Sequence, residues 1–122
     1  MIPLWISVAG GVGAVARFVT DGLVRTLLGR KFPWGTLIIN ILGSFILGVL
    51  TGLVLHNHAS SNIKLILGTG FCGGFTTFST FANENMSLFK NGDYLYFWLY
   101  IAGSIILGIG AVILGTSCIK FF

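Results

Sequence analysis

Charge is what this chain has least of. Of its 122 residues, 8% are Asp, Glu, Lys or Arg, and 55% are hydrophobic. A water-soluble domain carries about a quarter charged residues, so a soluble fold is excluded. The acidic residues are only Asp21, Glu84 and Asp93, and the formal net charge of +4 is spread thinly along the chain. No basic run is present that would hold nucleic acid, and the aromatics sit in apolar segments and not between lysines. Cysteine is nearly absent. Cys72 and Cys118 are isolated in apolar stretches, which excludes a disulfide framework and reads as two reduced packing residues. No GxxxxGK[ST] sequence occurs, so nothing points to ATP-driven work. The N-terminal MIPLWISVAGG lacks the basic region and short apolar core of a cleaved signal, and reads as the start of a first membrane helix.

What the chain has in abundance is apolar length. A helix needs about 20 residues to cross a bilayer, and four segments qualify, at about 3–28, 34–55, 63–89 and 94–119. The first is interrupted by Arg17, Asp21 and Arg25, and the second and fourth carry no charge before Lys120 closes the last. Trp34, Tyr94, Tyr96, Trp98 and Tyr100 suit an interfacial aromatic belt. The connections are short, so adjacent helices are antiparallel neighbours and both termini lie on one side. Arg25, Arg30, Lys31 and Lys90 lie on one side of the membrane, with Lys64 and Lys120 on the other. That bias is weak for the positive-inside rule, and it permits both orientations and hence an antiparallel dimer. Gly48 and Gly52 form a GxxxG pair, and Gly10, Gly11 and Gly13 cluster in the first segment. Small residues at these spacings let membrane helices approach closely.

The stretch Gly68 to Phe81, GTGFCGGFTTFSTF, holds four glycines, four phenylalanines and five hydroxyl residues in fourteen positions. Each glycine weakens a helix by roughly 1 kcal/mol relative to alanine, and a hydroxyl in hydrocarbon needs a partner. Such a segment is a poor lipid-facing helix and a suitable lining for a path across the membrane. Gly73-Gly74 suggests an interruption there, and an interruption frees carbonyl oxygens that need a donor or a cation. Phe78 and Phe81 share a helical face, as do Thr77 and Thr80 with Ser79 between them. A phenyl ring has a positive edge, so ring edges and hydroxyls can stabilise an anion without a fixed charge, although core packing is the simpler reading of the two phenylalanines. Asn40 is the lone strongly polar residue of the second segment; its amide serves either a helix–helix hydrogen bond or an ion. Arg17 and Asp21, four apart, can pair with each other or place an arginine at the mouth of an anion path. Glu84 reads as a proton or cation carrier or as a hydrogen-bonded group at the end of a pore.

Three motifs resemble those of the CrcB/Fluc family of fluoride channels, in order and over essentially the whole chain. Gly10 to Phe18 (GGVGAVARF) is similar to the family's GGxxGAxxRF/Y, with slightly different spacing; Gly35 to Phe45 (GTLIINILGSF) to GTLxxNxxGSF; and Gly70 to Phe81 (GFCGGFTTFSTF), followed by Glu84, to GFCGGxTTFSTF. The resemblance implies an all-α membrane protein of four-helix subunits, with the third helix broken near its middle, assembled as an antiparallel dual-topology homodimer with two fluoride pores. It implies that Phe78 and Phe81 turn ring edges to fluoride, that Asn40 is a pore-facing amide, and that Thr77, Ser79 and Thr80 form a polar track. It also implies a structural, non-transported Na⁺ held by the carbonyls of Gly73 and Thr76, and it places Arg17 and Glu84 at further polar family positions. The expected role is passive export of fluoride across the cell membrane. The rival is a small secondary transporter, a proton-coupled anion or small-solute carrier with Glu84 as the proton site. A scaffold that merely packs against partners leaves the polar residues of the second and third segments unexplained.

Overall fold

The computed structural model describes residues 1–119, so Lys120, expected to close the last segment, lies outside the described residues. Four helical spans among them are long and apolar enough to cross a membrane, and the chain is a multi-pass membrane protein. Helix α1 is Ile2–Leu28 and α2 is Trp34–Leu55. The third span is composite: α3 (Ser61–Lys64), a π-helical segment (Leu65–Cys72), α4 (Gly73–Phe75) and α5 (Phe78–Lys90). Helix α6 is Tyr94–Cys118. Pro3 sits in the first turn of α1, where its missing N–H costs nothing. Gly29 closes α1 at φ 83° and Gly92 turns the chain into α6 at φ 79°, values that favour glycine.

Close packing follows the glycines. Helix α2 lies along α6, and α1 lies against the π-helical segment and α4. A Cβ on Gly48 would strike the Val112 carbonyl, and one on Gly115 the Phe45 carbonyl, so these backbones meet directly. Thr116 seals the seam by donating its hydroxyl to Gly48 O at 3.1 Å. On the other side, Gly13 faces Phe71 and Phe75, Gly70 faces Ile6 and Ala9, and Gly74 faces Gly10. The GxxxG pair of α2 thus packs as its spacing predicts: Gly52 also lies against Thr116 and Ile119. The outer faces stay apolar and exposed, as at Leu4, Val8, Leu95 and Ile106, which suits hydrocarbon and not water. A small core of Leu37, Leu88 and Tyr100, with Phe81 against it, lies toward the end of the bundle that carries the first and third loops.

The third span breaks near its middle, but not at Gly73-Gly74. Gly73 is helical, at φ −62° and ψ −38°, and Gly74 continues the turn. The chain extends only at Thr76 (φ −82°, ψ 159°) and Thr77 (φ −152°, ψ 121°). Gly74 is small because α1 crosses there and it meets the Gly10 backbone, whereas a Cβ on Gly73 would meet only Gly68 O, at 3.9 Å. The break instead falls on β-branched residues, which favour extended backbone, and the Asn40 side chain satisfies the Thr77 peptide.

Candidate ion pathway

The break at Thr76–Thr77 organises the polar residues. Thr77 N–H, which a continuous helix would direct to Gly73 O, donates to Asn40 Oδ1 at 2.9 Å, and Asn40 Nδ2 donates to Thr77 O at 3.1 Å. The amide acts as a short piece of strand against the extended residue. One of its two N–H bonds is used in this way, and the second remains for another acceptor. Thr77 then caps α5 by accepting Thr80 N–H at 3.2 Å, and its hydroxyl lies 3.5 Å from Ser79 Oγ. Thr76 turns its hydroxyl back to Cys72 O at 2.7 Å.

Beside this break is a groove of about 400 Å³. Asn40, Gly73, Thr76, Thr77, Phe78 and Phe81 all line it. The two rings are 5.8 Å apart and inclined at 41°. They differ in setting: Phe78 is 78% exposed, whereas Phe81 packs edge-on to Tyr100 at 4.9 Å. Ser79 is exposed and Thr80 half-buried, both close to the groove through Thr77. The backbone ends at the break have opposite polarity. The segment ending at Phe75 presents carbonyls and α5 begins with unpaired N–H groups, the negative and positive ends of helix dipoles.

Arg17 and Glu84 lie apart from this groove's lining. Arg17 does not pair with Asp21: its Nε donates to Gly74 O at 3.3 Å, tying α1 to the turn before the break. Asp21 pairs instead with Arg25, one turn later on the same face, with Arg25 Nε 3.0 Å from Asp21 Oδ2. Glu84 accepts the Tyr100 hydroxyl at 3.0 Å through Oε1, and Arg25 Nη2 stands 3.8 Å from its Oε2.

Against known families, residues 4–116 match the model described as CrcB-like protein, Camphor Resistance (CrcB). The chain belongs to the CrcB family. A protein of Phocaeicola vulgatus named fluoride-specific ion channel FluC is 46% identical over 92% of this chain and 93% of its own length. Relatives of the same name from Azobacteroides pseudotrichonymphae and Chlorobium phaeobacteroides are 44% and 42% identical, over 96% and 98% of this chain and 94% and 93% of their own lengths.

In this CrcB chain two residues escape the sequence reading. Tyr100 is fully buried, not part of an interfacial belt. Trp34, Tyr94 and Trp98 are exposed, as a belt requires. Arg25, counted only among the charges on one side of the membrane, reaches Glu84. Tyr100 had one usable signal: it lies nearly two turns inside an apolar segment, where a phenol needs a partner. The partnership of Arg25 and Glu84 is a contact between distant segments and has no local signature.

Proposed function

We propose that this chain is a fluoride-specific ion channel that passively exports fluoride across the cell membrane and lowers cytoplasmic fluoride. The observation that carries the reading is the groove at the Thr76–Thr77 break, where an amide, hydroxyls and two phenyl rings converge without a lining charge. Its chemistry suits a small, strongly hydrated anion. The free N–H of Asn40, the α5 N-terminus and the hydroxyls of Thr77 and Ser79 can replace water around it. The rings of Phe78 and Phe81 add positive edges. A fixed lining cation would hold fluoride too firmly, and conduction needs sites that release as well as bind. A negative-inside potential drives an anion outward with about 2.3 kcal/mol per charge for every 100 mV, so no fuel is needed. The names of the 40–46% identical relatives point the same way.

The working unit in this reading is an antiparallel homodimer. Support comes from Phe78 and Gly73, both groove-lining and both exposed in the single subunit; a second copy would complete the wall. A structural Na⁺ fits the same break. Thr77 N–H is diverted to Asn40, which leaves Gly73 O without its helical donor, and Thr76 lies in extended backbone outside either helix. Carbonyl oxygens are suitable ligands for a hard cation, and Na⁺ bound there would join the subunits without being transported. The Gly74 carbonyl between them is occupied by Arg17.

Fluoride efflux from liposomes containing the purified protein tests the proposal, with the wild-type chain expected to empty fluoride-loaded vesicles while chloride is retained. No fluoride flux with Na⁺ present would sink it. Single-channel recording separates the channel from a proton-coupled carrier: discrete currents without a proton gradient mark a channel.

A further inference from the structure

All three acidic side chains, Asp21, Glu84 and Asp93, line one cavity of about 190 Å³, together with Arg25, Arg30 and Lys31. It lies at the end of the bundle formed by the first and third loops, and it is distinct from the groove at the break. In a chain so poor in charge, that concentration is a structural feature. Arg25 stands between two of the acids, 3.0 Å from Asp21 and 3.8 Å from Glu84. Glu84 holds the Tyr100 hydroxyl at 3.0 Å, and the Tyr100 ring meets Phe81, a wall of the groove, at 4.9 Å. A carboxylate is therefore one residue removed from a ring that the fluoride-conducting reading turns toward the anion.

A negative charge so placed opposes an anion, and more strongly in a medium of low dielectric than in water. A guanidinium does not lose its proton, so it is a permanent counter-charge. We propose that Arg25 is the counter-charge of Glu84, the group that lets an anion pass the Glu84 end of the groove. Arg25 is a positioning residue and not a ligand of the ion. Asp21, one turn away, keeps the half-exposed Arg25 side chain from turning out to the interface. Glu84 keeps its grip on Tyr100, and with it the seat of Phe81. The inference rests on the fluoride-conducting reading.

The test is fluoride efflux from liposomes with Arg25→Gln, Glu84→Gln, the two together, and Arg25→Lys. Arg25→Gln removes the cation within 4 Å of the Glu84 carboxylate and lowers flux by about tenfold. Adding Glu84→Gln removes the obstacle, so the double variant conducts as fast as Glu84→Gln alone and faster than Arg25→Gln. Arg25→Lys keeps the charge and stays within about threefold of wild type. A purely structural role for Arg25 would give no such rescue. Wild-type flux in Arg25→Gln overturns the proposal; so does a double variant as slow as Arg25→Gln, or a Lys variant as slow as the Gln variant. Wild-type flux together with any of these sinks the counter-charge alone, whereas absence of flux in the wild-type chain overturns the conducting reading as well.

Discussion

Asn40 and Thr77 exchange two hydrogen bonds, side-chain amide to backbone peptide, at 2.9 and 3.1 Å. The pair does two things at once. It satisfies the peptide of a residue that has left the helix, and it holds one amide N–H ready for another acceptor in the groove. Asn40→Asp replaces the donor with a carboxylate facing the Thr77 carbonyl. The orphaned carbonyl costs about 1–3 kcal/mol, and the added charge repels an anion. The expected outcome is fluoride efflux lowered by about tenfold or more at neutral pH, with a lower unfolding midpoint in detergent. Wild-type efflux would show that the amide does not face the path.

The two phenylalanines separate by setting. Phe78 is 78% exposed in the subunit, and Phe81 is packed against Tyr100, Leu37 and Leu88. Phe78→Ile is expected to leave subunit stability within about 0.5 kcal/mol, whereas Phe81→Ile removes an edge contact and costs about 1–3 kcal/mol. Loss of a ring edge worth roughly 1 kcal/mol slows fluoride by about fivefold in each case. Efflux rates beside thermal unfolding of the same samples check both halves. Unchanged flux in both variants would remove the ring-edge role.

The four apolar spans were legible because length and hydrophobicity alone decide them. The close seams were legible because small residues at helical spacing have few other uses in a membrane. The break was legible in outline and misplaced in detail. Glycine marks both a weak helix and a close approach, and Gly74 proves to be the second kind, against Gly10. What moves the break to Thr76–Thr77 is Asn40, from another helix. The same limit applies to Asp21, which has a candidate partner at four residues on either side, Arg17 and Arg25. Only the approach of Gly74 O to Arg17 and of Glu84 to Arg25 decides between them.

That distinction among glycines can be measured. Gly74→Ala drives a methyl into the Gly10 backbone, which cannot yield as a flexible side chain can. Overpacking of this kind costs about 1–3 kcal/mol. Gly22, in the same long α1 helix, meets nothing within 4 Å. Gly22→Ala is therefore expected to be neutral or to gain up to about 1 kcal/mol from helix propensity. Unfolding midpoints of the two variants, taken under one detergent condition, test the assignment. Equal effects would mean that α1 and α4 do not pack as closely as described.

Removal of Na⁺ tests the break from its other side. The carbonyls of Gly73 and Thr76 lie on the N-terminal side of the interruption, where the end of α4 is electronegative, and a cation there would offset their mutual repulsion. Anything that binds only the assembled state stabilises it, by about 2.7 kcal/mol at a hundredfold excess over its dissociation constant. Exchange into a large organic cation is thus expected to lower fluoride efflux and to shift the protein toward monomer in size-exclusion chromatography, with recovery when Na⁺ returns. Asn40→Ala should sharpen the effect. Thr77 N–H then loses Asn40 Oδ1 and can close back on Gly73 O, withdrawing one of the proposed ligands. Flux and assembly that ignore Na⁺ in both proteins, after exchange prolonged enough to replace a trapped ion, would remove the cation from the mechanism and leave the anion groove standing.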